Sequence, residues 1–203
     1  AGFLAFLTFT AYFPTFQNFY IWDDDLYLTQ NPYLNDFEGL KRLWLDMNAR
    51  LQYYPMVFTS FWVEHKIWGL DPIGYHIDNT LIHCMNVILL WRILVFLDIR
   101  GSWLGAAIFA IHPVQVESVA WITERKNLLS GFFLFLSLYS FLQFYKPHLS
   151  SESNIRNTKN WPIYGLSLLL FLCALWSKTV TCTLPAVILL IFWWKEKRIC
   201  KEV

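Results

Sequence analysis

HIDNTLIHCMNVILLWRILVFL, residues His76–Leu97, decides the fold of this chain. It contains neither Pro nor Gly, and as a helix it reaches about 33 Å, enough to cross the roughly 30 Å of bilayer hydrocarbon. Its polar residues are not scattered. His76, Asn79, His83 and Asn86 follow at offsets of 3, 7 and 10, which places them on one helical stripe about 80° wide, with Asp78 off it. A polar stripe on a membrane helix faces protein or water. Two readings stay open: hydrogen bonding between helices, or the lining of a substrate cavity. His76 and His83 lie two turns apart, a poor spacing for sharing one metal ion.

The surrounding chain fits this stretch. The apolar fraction is 56% and charged residues make up 15%, against about 25% in soluble domains; mean hydropathy is +0.38. The 203 residues include 18 Phe, 10 Tyr and 11 Trp, more apolar surface than a water-soluble interior of this size hides. Disorder is excluded for most of the chain. A net charge of +1 gives no basic field for nucleic acid. Further apolar segments run over 1–21 (interrupted by Pro14), 103–111, 128–145, 161–176 and 180–194. Backbone groups in lipid must pair within their own segment. The expected fold is therefore all-α: a polytopic transmembrane helical bundle, with 1–203 as a single membrane domain.

With alternating crossings, 98–102, 146–160 and the tail from Lys195 share one side. The segments 22–75, 112–127 and 177–179 share the other. Lys and Arg are denser in the short loops of the first side, which marks it as cytoplasmic. Trp22, Trp103, Trp161, Trp193 and Trp194 fall at span ends, as in an interfacial aromatic belt. The 22–75 connection is too long for a simple link. Within it, Phe37–Met47 (FEGLKRLWLDM) and Met56–Leu70 (MVFTSFWVEHKIWGL) mix apolar, aromatic and charged residues and are expected as amphipathic helices at the outer membrane surface. Asn35 or Asp36 would cap the first; Gly69 and Pro72 would end the second. Cys84, Cys173, Cys182 and Cys200 show no metal-type spacing and are expected as buried free thiols. A start without Met or a basic leader, and an end just after a hydrophobic segment, suggest a piece of a longer protein.

The polar groups hardest to explain collect on the expected outer side. Asp23, Asp24 and Asp25 follow the first apolar segment. Adjacent carboxylates repel, which raises at least one pKa and suits a general base or metal ligand; the plain alternative is a solvated cluster that stops the span. The stretch HPVQVESVAWITERKN (His112–Asn127) carries Glu117, Glu124, Arg125 and Lys126. Read as a helix, it sets Glu117, Trp121, Glu124 and Arg125 on one broad face. Its basic residues either pair with its own glutamates or face an anion such as phosphate. Lys178, in WSKTVTCTLP, either snorkels to water or binds a phosphate headgroup. Carboxylates and cations beside lipid suit an enzyme whose substrate joins a greasy tail to an anionic head. A carboxylate would deprotonate an acceptor hydroxyl, and cations would stabilise the leaving phosphate. A transporter or a non-catalytic membrane scaffold are the rival classes. Convergence of Asp23, Asp24, Arg125 and Lys178 on one site favours the enzyme.

WDDDLYLTQNP, YYPMVFTSFWVEHKIWGLDPIGYHIDNTLIHCMN, HPVQVESVAWITERKNLLSGFFLFLSLY and LWSKTVTCTLP resemble the N-terminal membrane half of bacterial transmembrane proteins that carry tetratricopeptide repeats. These are similar to the animal transmembrane and tetratricopeptide-repeat O-mannosyltransferases and, more distantly, to protein O-mannosyltransferases of the GT-C class. The resemblance implies a GT-C-like fold, of which this chain is the N-terminal part. It also implies a polyprenyl-phosphate-linked sugar donor, a protein or glycan acceptor, and a site on the outer face of a bacterial inner membrane. The acidic pair of the family falls on Asp23 and Asp24, with the base role given first to Asp23. Its histidine–proline motif falls on His112 and Pro113, and its acid on Glu117. Arg125, then Lys178, with Lys126, are expected at the donor phosphate. Tyr54, His76, Asn79, His83, His112 and Glu117 are expected to line the cavity. Tyr54-Pro55 stands where the animal proteins have Arg-Pro, which leaves that cationic role without a carrier. No cofactor is expected; a divalent metal at Asp23 and Asp24 is the less favoured form.

Overall fold

The computed structural model describes residues 1–46, 52–149 and 160–199. Met47, Cys200 and four of the loop basic residues (Arg50, Arg156, Lys159, Lys201) lie outside them. The described residues are all-helical, without strands: α1 Gly2–Tyr12, α2 Phe37–Leu45, α3 Pro55–Trp68, α4 Pro72–Phe96, α5 Ser102–Ile111, α6 Val114–Ala120, α7 Arg125–Leu149, α8 Trp161–Ser177 and α9 Leu184–Ile199.

Among the described residues, two helical stretches are long and apolar enough to cross a membrane, Pro72–Phe96 and Ile122–Tyr145, with mean hydropathies of 1.6 and 1.5. The remaining apolar segments form shorter helices. The first does not run to Ile21: α1 ends at Tyr12 and a 3-10 turn, Phe13–Gln17, follows. Pro14 has no N–H for the helical ladder and clashes with the carbonyl one turn back, which stops the helix there.

Local chemistry fixes the other ends. Asp36 caps α2, its Oδ1 accepting from the Gly39 N–H at 2.6 Å. Asp71 caps α4, accepting from Ile73 N at 3.0 Å with Pro72 at the first helical position, where its missing N–H costs nothing. Between α3 and α4 the chain reverses at Gly69, whose φ of 59° is open to a residue without Cβ.

The largest correction concerns His112–Asn127, which is not one helix. α6 ends at Ala120, Trp121 is extended (φ −93°, ψ 121°), and a 3-10 turn, Ile122–Glu124, leads into α7. Glu117 and Arg125 therefore share no helical face.

α7 is the central element and packs along both α4 and α8. Reciprocal bonds join it to α8: Ser137 Oγ donates to Ser167 O at 2.8 Å and Ser167 Oγ to Ser137 O at 2.9 Å. Small hydroxyl residues let the two backbones approach closely. α2, which is amphipathic, and α3, whose exposed face carries Val63, Ile67 and Trp68 and so is not, close over one end of this packing, where Leu43, Val57, Phe58 and Phe61 share a core with Tyr27, Tyr75, Val119 and Leu128. At the opposite end Lys195 Nζ donates to Leu97 O at 2.6 Å. Of the described cysteines, Cys84 is buried as expected, Cys173 is half-buried and Cys182 exposed.

Candidate active site

The turn after α1 carries the acidic cluster, and its three carboxylates have three different environments. Asp24 is fully buried. Its Oδ2 accepts from Ile21 N and its Oδ1 from Thr123 N, each at 3.0 Å. Asp23 is half-buried, and its Oδ1 accepts from Thr123 Oγ1 at 2.9 Å. No second hydrogen bond reaches the Asp23 carboxylate among the described residues. Asp25 is exposed and accepts from Thr29 Oγ1. Thr123 thus holds the acidic pair from the α6–α7 junction. One Asp23 carboxylate oxygen has no hydrogen-bond partner among the described residues, whereas both Asp24 oxygens accept backbone N–H groups. The catalytic expectation for Asp24 is corrected on that ground, because both its oxygens are spent on backbone N–H groups and no solvent reaches them.

Burial pushes the Asp24 carboxyl up from its ordinary value, against the backbone N–H bonds from Ile21 and Thr123, which favour the ionised form. The folded protein therefore binds this proton more tightly than the unfolded chain. The corresponding stability is full below the ordinary aspartate value and is lost as pH rises through the raised one. Thermal unfolding across mildly acidic pH is expected to show this decline, and Asp24→Asn to flatten it.

Arg125 does not serve as expected. Its guanidinium is wholly buried and committed within the protein. Nη1 pairs with Glu64 of α3, Nε donates to Asn79 Oδ1 at 2.6 Å, and Nη2 donates to Tyr75 O at 3.0 Å. The Phe61 ring lies 5.0 Å from the guanidinium carbon. A donor phosphate has no route to it. Asn79, expected to line a cavity, is part of the same knot, its Nδ2 donating to Val119 O and Trp121 O at 3.2 Å. These bonds satisfy the carbonyls left over where the helix breaks at Trp121.

The two lysines lie beside the α6–α7 junction that holds the acidic turn. Glu124, one residue beyond Thr123, pairs with Lys126 at 2.7 Å and accepts from Asn127 Nδ2 at 2.5 Å. Lys178, at the α8–α9 turn, donates to Asn127 Oδ1. The connections at 22–75, 112–127 and 177–179 therefore meet at one end of the helices. Buried Tyr27 stands among them. Burial first, and then Asp23, Tyr54 and Glu124, push its hydroxyl up to about 12, so it remains a donor at neutral pH.

The other expected lining residues divide. His83 is buried, with Nε2 at 3.0 Å from Ala110 O, and it borders a cavity of about 220 Å³ together with Asn86, Gln115 and Asn127. His76 is buried inside the packing. His112 and Glu117 are exposed, His112 Nδ1 accepting from Val114 N at the start of α6. Neither borders the cavity beside His83, although Gln115 of α6 does. Half-buried Tyr54 precedes α3 and lies near Tyr27.

Thr123, Glu64 and Asn127 were not anticipated from the sequence as parts of this arrangement. Glu64 carried a signal: a carboxylate in the middle of an apolar helix needs a cation. Thr123 and Asn127 carried none, because their roles come from contacts 100 and 51 positions distant.

Protein O-mannosyl-transferase TMTC3 of Mus musculus is 32% identical to this chain over 108 residues, covering 53% of the chain and 12% of that relative. Tmtc1 of Drosophila melanogaster is 30% identical over 156 residues, 73% of the chain and 16% of the relative. TMTC4 of Mus musculus is 26% identical over 182 residues, 77% of the chain and 24% of the relative. The chain is similar to the animal protein O-mannosyl-transferases. It spans about an eighth to a quarter of the length of these relatives. No protein-family model matches it, and no solved structure does. The similarity accords with the resemblance read from the acidic turn, the His112–Asn127 stretch and the Lys178 turn.

Proposed function

We propose that this chain forms the base-bearing part of a GT-C-like membrane glycosyltransferase, which moves a sugar from a polyprenyl phosphate to an acceptor hydroxyl. The observation that carries the reading is the Thr123 clamp: it presents a half-free Asp23 carboxylate at the same end of the helices as Lys126 and Lys178. The names of the relatives, protein O-mannosyl-transferases, support hexosyl transfer to a protein.

In this reading Asp23 accepts the proton of the acceptor hydroxyl as that oxygen attacks the anomeric carbon. The bond from that carbon to the phosphate oxygen breaks, and negative charge grows on the phosphate. Lys178 takes the phosphate role first assigned to Arg125. Its ammonium has three donors, and Asn127 uses one. Lys126 neutralises Glu124, so the acidic residues around the phosphate are not left uncompensated. Asp24 and Thr123 keep the base in place.

The exposed apolar side chains of α1, α5, α8 and α9, among them Phe6, Leu104, Leu169 and Leu190, would face hydrocarbon in a polytopic bundle. The end holding Asp23 would face the outer side of a bacterial inner membrane. The polar stripe of α4 gives a transporter little support, since Asn79, His83 and Asn86 are engaged by backbone carbonyls of other segments.

Full-length protein in nanodiscs, supplied with a panel of labelled polyprenyl-phosphate sugars and a serine- or threonine-rich acceptor, tests the reading. Transfer from at least one lipid monophosphate donor is expected. Failure with every donor, by protein shown to be folded, would overturn it.

A further inference from the structure

Trp22 directly precedes the proposed base, and it holds an unusual pose. It is 76% exposed and sits at φ 49°, a left-handed conformation that costs a bulky residue energy and collects at functional sites. The turn that imposes this pose is tight: Asp24 N donates to Ile21 O, and Ile21 N donates back to the Asp24 side chain, both at 3.0 Å. The Trp22 ring meets Trp121 edge to face, with centroids 4.6 Å apart and planes at 77°. Trp121 is fixed in turn by the Asn79 bond to its carbonyl. Lys126 Nζ lies 5.9 Å from the Trp121 ring.

An interfacial anchor requires no such geometry. A tryptophan at the level of lipid headgroups works from any relaxed backbone. Here two indoles form a corner beside the acidic turn: Trp22 adjoins Asp23 in the chain, Thr123, two residues beyond Trp121, holds the Asp23 carboxylate, and the Lys126 ammonium lies beside the Trp121 ring. A pyranose ring matches that corner. Its C–H face is apolar and packs on an exposed indole, while its rim of hydroxyls donates to a carboxylate and accepts from an ammonium.

We propose that Trp22 and Trp121 form a stacking platform that holds a pyranose ring against the Asp23 carboxylate. The proposal rests on the reading of Asp23 as the base of sugar transfer and adds to it the seat of the sugar. The ring belongs either to the lipid-linked donor or to a glycan acceptor. Both share this chemistry.

The test uses full-length protein in nanodiscs with methyl α-D-mannopyranoside and the matching glucoside as probes, read by saturation-transfer NMR. Wild-type protein is expected to saturate the ring C–H protons. Trp22→Phe keeps the signal, and Trp22→Leu, which stays apolar but is smaller and has no π face, weakens binding about tenfold. In turnover assays the glycoside competes with the donor if the platform seats the donor sugar, and with the acceptor if it seats a glycan. Asp23→Asn should lower transfer by about 10²–10⁴-fold and retain the ring-proton signal. A saturation signal without transfer from any donor would leave the platform standing and remove the transferase reading. Undiminished glycoside binding by Trp22→Leu overturns the platform. So does the absence of any signal from wild-type protein.

Discussion

Asp23→Asn is expected to lower sugar transfer by about 10²–10⁴-fold, the usual contribution of a positioned general base, while the protein unfolds at the wild-type temperature. The structure explains why the two effects separate. The Asp23 side-chain bond within the fold is accepted from Thr123 Oγ1, and an asparagine Oδ1 still accepts that hydrogen. What the substitution removes is the oxygen left over for the acceptor proton. Asp24→Asn should behave in the opposite way. One of the two N–H groups from Ile21 and Thr123 would then face an amide NH₂, and a buried donor left unsatisfied costs about 1–3 kcal/mol. Transfer rates and thermal unfolding measured on both variants check the assignment. A fully active, normally stable Asp23→Asn variant would remove Asp23 from the mechanism.

The second large effect concerns the Glu64–Arg125 pair. Glu64→Ala leaves a fully buried guanidinium without its counter-charge, which is expected to destabilise the protein by about 3–5 kcal/mol. Arg125→Lys should also be costly, because an ammonium cannot reach Glu64, Asn79 and Tyr75 O from one planar fork. Replacing both partners with Met is expected to cost less than Glu64→Ala alone, since no buried charge is then orphaned. A double-mutant cycle by chemical unfolding in detergent reads this coupling. Additive losses would mean that the pair is not the clamp it is described as. The pair ties α3 to α4 and to the start of α7, two residues beyond Thr123.

Much of the architecture was legible from apolar run length and end signals. α4 and α5 lie within a few residues of expectation, and Asp36 and Gly69 act as the caps their residue types suggest. The break at Trp121 was not legible. Nothing in VESVAWITERK forbids a continuous helix. Asn79, more than 40 positions away, collects the carbonyls that the break leaves open. Arg125 misled for a related reason. Its sequence neighbours offered Glu117 and Glu124 as partners, or an anion from outside, whereas the partner it takes is Glu64, 61 positions earlier. The clustering of the acidic turn with Lys178 was within reach, because alternating crossings place both at one end. The division of labour between Asp23 and Asp24 was not, because both carboxylates look alike until Thr123 is in place.

The Thr123 clamp also has a bearing on biosynthesis. Asp23 and Thr123 are 100 positions apart. At elongation rates of about 5–20 residues per second, the acidic turn emerges roughly 5–20 s before its holder does. Throughout that interval Asp24 is better hydrated than buried, so the turn stays loose and locks only once the α6–α7 junction arrives from the ribosome.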